Sequence, residues 1–119
     1  METLVRSLFE AFVSVPDPRS AKGRRHSLPA ILALATAAML CGARSLYAIF
    51  QWGRLQEPDV VRALGFERER TPSVCTLHRV FSQLNVSVFE AALGTWAQSN
   101  LGESRRLAFS RLGNGGVVE

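Results

Sequence analysis

Apolar positions recur at helical spacing from near the start of the chain. Leu4, Val5, Leu8, Phe9 and Phe12 fall on one face of a 3.6-residue repeat, which predicts an amphipathic helix ended by Pro16 and Pro18. The stretch Arg19 to His26 is polar and basic and reads as a loop or arm. Leu28 to Ala43 is then apolar throughout except for Pro29, Thr36 and Gly42. Ser45 opens a third helix whose buried stripe is Leu46, Ile49 and Phe50, completed by Trp52 or Leu55. Pro58 begins a short helix through Val60, Val61 and Leu64 that Gly65 stops. Glu67 to Arg70 alternate in charge, as a solvated loop does. Thr71-Pro72-Ser73 signals a fifth helix, which runs to about Leu84 before Asn85 and Val86 break it. Ser87 and Glu90 match a capping box and predict the last helix, with Phe89, Leu93, Trp96 and Ala97 on its apolar face. No alternation of period two is long enough for a strand. The expected fold is all-α, a compact bundle of about six short helices over residues 1–100. From Leu101 onward glycine and arginine replace any core pattern, so 101–119 reads as a mobile or non-native tail.

The apolar run decides the class of protein. At about sixteen residues it falls short of the roughly 20 that span a bilayer. It also lies behind another helix, whereas a secretory leader places its apolar stretch nearer the start. A central core helix fits it better, with Ser27 as cap, Pro29 in the first turn and Gly42 as the left-handed stop. The expected protein is therefore cytoplasmic, with no membrane role.

Composition adds little until charge is considered. Of 119 residues, 47% are hydrophobic and 20% charged, ordinary values for one globular domain. The net charge is +4, and thirteen of the fourteen cations are arginine, which leans toward a polyanionic partner. Cys41 and Cys75 lie among apolar neighbours in predicted helices and read as two reduced thiols. No Cys/His cluster has zinc spacing, and the scattered acids, including Glu57, Asp59, Glu67 and Glu69, form no pair tuned for acid–base work. Phosphate-loop and nucleophile-elbow motifs are absent. No enzyme activity, metal or cofactor is expected.

The segment Ser73 to Leu84 carries the functional expectation. On a helical wheel Val74, Leu77, Val80, Phe81 and Leu84 gather on one side. Cys75, Thr76, Arg79, Ser82 and Gln83 gather on the other, with His78 flanking. Arg can read guanine, Gln adenine, and Thr or Ser bases or phosphate, so Ser73, Thr76, Arg79 and Gln83 are candidate DNA contacts. An ordinary solvated face has the same pattern. With the preceding short helix this makes an expanded helix-turn-helix-like segment, because the connection Gly65 to Pro72 exceeds the compact turn. Arg19, Lys22, Arg24 and Arg25 form a cationic arm that either contacts phosphate or is solvated. His26 reads as a packed or capping histidine, and Trp52 and Trp96 as core.

An ordered set of residues then points to a family. Asp17-Pro18-Arg19, His26-Ser27-Leu28, Cys41 to Ser45, Pro72-Ser73, Thr76-Leu77, Arg79-Val80-Phe81, Phe89 and Trp96 together resemble the N-terminal associated domain of H-repeat-type DDE insertion-sequence transposases. The resemblance spans about residues 4 to 98 and implies a helical domain ahead of an RNase H-like catalytic domain. It also implies a role in binding transposon ends or in assembling the transposase. No Asp follows Asp59, so the catalytic carboxylates expected of such a chain are missing, as in a truncated relative. The expected function is a non-catalytic DNA-binding domain whose partner is double-stranded DNA. The alternative is a protein–protein interaction module that self-associates, or that pairs with and inhibits an intact transposase.

Overall fold

The computed structural model describes residues 2–19, 26–67 and 70–100. Among them are six helices and no strand: α1 (Glu2–Phe12), α2 (Leu28–Leu40), α3 (Leu46–Arg54), α4 (Pro58–Leu64), α5 (Val74–Gln83) and α6 (Val86–Asn100). The segment 101–119 lies outside the described residues.

Most helix starts are set by local side chains. Ser27, Ser45 and Ser73 each hold extended backbone, and their hydroxyls accept from the amides of Ala30, Ala48 and Thr76. The last helix departs from the sequence expectation. Asn85 is its cap, its Oδ1 accepting from the Val88 amide at 3.3 Å, so the Ser87–Glu90 capping box does not form. Asn85 sits one turn before the apolar stripe of α6 and takes the third amide of the helix, leaving Ser87 inside it. At the other end of α2, Gly42 takes φ +103°, and the Gly42 and Ala43 amides return to Met39 and Ala38.

The core is organised around α2. Eleven of its thirteen residues are buried, Leu28 and Ala30 through Met39. α1, α3 and α4 pack against it, and α6 packs on α1. The alanines keep α2 slim enough for neighbours on several sides, as a helix apolar all round requires. Its buried hydroxyl, on Thr36, donates to the Leu32 carbonyl at 2.9 Å. None of the described helices is long and apolar enough to cross a membrane. Burial by its own chain is therefore what the apolar run encodes.

The remaining stripes follow their periodicity. Val5, Leu8 and Phe12 of α1 are buried, and Phe12 meets Phe89 of α6 with ring centroids 5.3 Å apart. Trp96 of α6 is buried, and its indole N–H donates to Ser7 Oγ at 2.8 Å, which in turn donates to the Leu4 carbonyl at 2.6 Å. In α3, Ile49 is buried and Trp52 half-buried, whereas Leu55 is 82% exposed, so Trp52 completes that stripe.

Helices α4 and α5 do not pair as the two helices of a helix-turn-helix. α4 packs on α1 and α2, while α5 packs mainly on α3. The intervening chain, from Gly65 to Ser73, is long enough to carry α5 away from α4. α5 is nonetheless laid down as expected, with Leu77, Val80 and Leu84 buried and Cys75, His78, Arg79, Ser82 and Gln83 exposed.

Candidate nucleic-acid interface

An open groove of about 1240 Å³ runs between the end of α1, the start of α2, the α4–α5 connection and the first turns of α5. Its polar lining includes Asp17, Arg19, His26, Arg70, Ser73, Thr76 and Arg79, over an apolar floor that includes Phe9, Val15, Leu28, Phe66 and Val80. Four of the residues expected to contact DNA, Arg19, Ser73, Thr76 and Arg79, are thus brought to one place. They come from segments more than fifty positions apart, joined by the packing of α1 and α3 on α2 and of α5 on α3.

α5 supplies the wall with the readable side chains. Ser73 caps it, and its Oγ lies 3.2 Å from the hydroxyl of Thr76. Thr76 is half-buried at the groove, and Arg79 stands exposed one turn further along. Arg79 forms an i, i+4 row with Cys75 before it and Gln83 after it, so the three share one surface. Gln83 is exposed but lies beyond the groove lining. Ser82, exposed beside them, donates its hydroxyl to the Arg79 carbonyl at 2.8 Å.

Arg19 is placed otherwise than its sequence context suggests. Its side chain is only 5% exposed, and its guanidinium forks onto Asp17, with Nε to Oδ1 at 2.9 Å and Nη2 to Oδ2 at 2.8 Å. Nη2 also donates to the His26 carbonyl at 2.7 Å. Asp17 is held for this by Pro18, which keeps the preceding residue extended, and by the Arg19 amide, which donates to Oδ1 at 3.0 Å. Arg19 therefore turns inward beneath the groove. Lys22, Arg24 and Arg25 lie outside the described residues, but the residues flanking that stretch, Arg19 and His26, both line the groove.

One groove residue escapes a reading of the sequence, and another keeps the packing role expected of it. Arg70 ends an alternating-charge stretch that reads as solvated, yet it lines the groove immediately ahead of the α5 start signal. His26 packs edge-on against Phe66 with ring centroids 5.7 Å apart, which joins the start of α2 to the residue after α4. Both free cysteines are exposed, Cys75 on the outer face where the helical wheel sets it and Cys41 despite its apolar sequence neighbourhood. Cys41 follows the last turn of α2, and Cys75 falls on the outer face of α5, so neither stripe includes it. Among the described residues no group of three or more His, Cys, Asp or Glu side chains could hold a metal ion.

The family described as DDE_Tnp_1-associated matches residues 9–97, which run from the second half of α1 nearly to the end of α6. A protein of Xanthobacter autotrophicus, "Uncharacterized protein in dhlA 3'region", is 38% identical over 87 residues, covering 72% of this chain. The chain spans only 29% of that relative's length. No solved structure matches. With three-quarters of its length accounted for by the family match, the chain belongs to the DDE_Tnp_1-associated family, the N-terminal associated domain of DDE transposases.

Proposed function

We propose that this chain is a non-catalytic DNA-binding region of a DDE-type transposase, docking duplex DNA along the groove and the outer face of α5. One observation carries the reading: Arg70, Ser73, Thr76 and Arg79 line a single groove, and so do Arg19 and His26, the described residues on either side of the cationic sequence 20–25. Thr76, Arg79 and Gln83 meet base edges, Arg79 as the guanine-reading fork. Arg70, Lys22, Arg24 and Arg25 meet phosphates, which position the duplex without reading it.

The test is a gel shift with transposon terminal repeats and with an unrelated duplex. Replacing Arg79 by Ala is expected to weaken binding to the preferred duplex by roughly 5- to 150-fold, the loss of one bidentate base contact. Binding to the unrelated duplex should change far less. Equal affinity of Arg79→Ala and wild type for the preferred duplex would move the base contact elsewhere.

A second reading, self-association or pairing with a transposase, draws on α3. Tyr47 on it is 57% exposed and Leu55 just after it 82%, near Phe50, over whose ring Arg54 lies at 5.5 Å. Aromatic and arginine side chains of this kind are enriched in protein interfaces. A stable oligomer in size-exclusion chromatography, indifferent to added DNA, would favour it.

A further inference from the structure

The groove offers more than a phosphate can use. Its described lining keeps a net positive charge: Arg19 pairs with Asp17, and Glu67 offsets only one of Arg70 and Arg79. Both of those arginines are exposed, and neither has an ion-pair partner among the described residues. Beneath them lies an apolar floor, from which a phosphate gains nothing. Val13 lines it and is 59% exposed. The Phe9 ring also lines it, half-buried, packed on Gly65 where a Cβ would otherwise stand. His26, half-buried too, stands edge-on to Phe66 in the same lining.

A ligand that matches both parts carries negative charge and a flat apolar face. A base-paired duplex supplies only the first, because its bases are stacked on one another and its grooves present their edges. An unpaired nucleotide supplies both: its base stacks on aromatic side chains and its backbone follows the cations. At about 1240 Å³ the groove exceeds the roughly 300–1000 Å³ of clefts that bury a drug-sized ligand, so a nucleotide with its phosphate has room. Arg79 joins this groove to the surface proposed for the duplex, since it lines the groove and shares the outer row of α5 with Cys75 and Gln83.

We infer that the groove is a binding site for an unpaired nucleotide at the end of the DNA, whose base lies over Phe9 and Val13 while its phosphate meets Arg70. This site rests on the DNA-binding reading given above and divides its surface. Paired DNA runs along α5 as far as Arg79, and the strand end enters the groove. Recognition there is by stacking, so it tolerates any base.

The experiment titrates the full chain with fluorescent probes of one paired length. They are a blunt duplex, the same duplex with a few unpaired thymidines at one 3′ end or at one 5′ end, and the better of these two with abasic sites in place of the unpaired bases. One polarity is expected to bind about 5- to 150-fold more tightly than the blunt duplex, the gain from one stacked base. The abasic overhang keeps the added phosphates and should lose most of that gain. Val13→Asp, a change at an exposed position, should bring the overhang-to-blunt ratio below about threefold, because a base stacked there would strip water from the carboxylate. Circular dichroism checks that this variant folds. Overhangs that bind no better than the blunt duplex, or an abasic overhang that binds as tightly as the normal one, overturn the base site and leave the DNA-binding reading standing. An unchanged ratio in Val13→Asp puts the base outside the groove and overturns the site as well. A protein that binds none of the probes at low salt overturns the DNA-binding reading and this site with it, and leaves the groove to an apolar protein segment.

Discussion

Gly65→Ala is expected to destabilise the protein by about 3 kcal/mol, from a left-handed backbone penalty of ~1–2 kcal/mol and an overpacking cost of ~1–3 kcal/mol. Gly65 ends α4 with φ +111°, a conformation that favours glycine. A Cβ there would collide with the Phe9 ring of α1 and lie 3.2 Å from the Cβ of Ala30 on α2. The backbone at 65 is where the end of α4 meets the two helices it packs on, so the Phe9 ring has to move for a Cβ to fit. For a domain of this size the midpoint of thermal unfolding should fall by roughly 12–24 °C. Gly94 is the matched control, since it lies within α6 with open space where a Cβ would go. Gly94→Ala should stabilise by about 0.5–1 kcal/mol, the helix propensity difference. A thermal midpoint for Gly65→Ala within a few degrees of wild type would mean that the junction is looser than its packing implies.

Duplex binding should weaken at least tenfold when salt rises from about 50 to 200 mM. Each phosphate engaged contributes a slope of about −0.9 in the logarithm of affinity against the logarithm of salt. Two engaged phosphates already give about a tenfold loss over that range, and the four contacts proposed for Arg70, Lys22, Arg24 and Arg25 would give roughly 150-fold. Fluorescence anisotropy across a salt series measures the slope directly. A flat response would remove the phosphate contacts and favour an apolar, protein-facing role.

Much of the fold was legible because its determinants are local. Ser27, Ser45 and Ser73 announce helix starts, Gly42 and Gly65 announce stops, and the stripes of α1 and α5 name their buried faces by spacing alone. The burial of α2 also follows from length and composition, since a run too short for a bilayer and rich in alanine has to be covered by its own chain. What periodicity does not specify is which helix does the covering. It marks the inner face of α5 but not that α3, rather than α4, lies under it.

The groove was legible only in part for the same reason. The α5 side chains share a face by helical geometry, so Thr76 and Arg79 could be grouped. Arg70 and His26 join them only through tertiary packing, of α3 and α4 on α2 and of α5 on α3, which no local pattern encodes. Arg19 looked like one more surface cation in a basic run. Its nearest partner, Asp17, lay two positions away in plain sight, but the acceptor that turns it inward is a backbone carbonyl at position 26. Main-chain acceptors leave no mark on a sequence. The cap of α6 shows a smaller version of the problem: Asn85 and Ser87 both have capping chemistry, and the packing of Phe89 and Leu93 selects the earlier one.

The two exposed cysteines provide the most direct measurement. Cys75 shares its face of α5 with Arg79, whereas Cys41 lies at the far end of α2 from groove residues Leu28 and Pro29, about 20 Å along the helix axis. Alkylation of both thiols with iodoacetamide, followed by mass spectrometry, reads each site separately in the unmodified protein. Duplex docked along α5 should slow labelling of Cys75 severalfold while Cys41 reacts at its free rate. Equal labelling of Cys75 with and without saturating duplex would contradict the placement of DNA on this face.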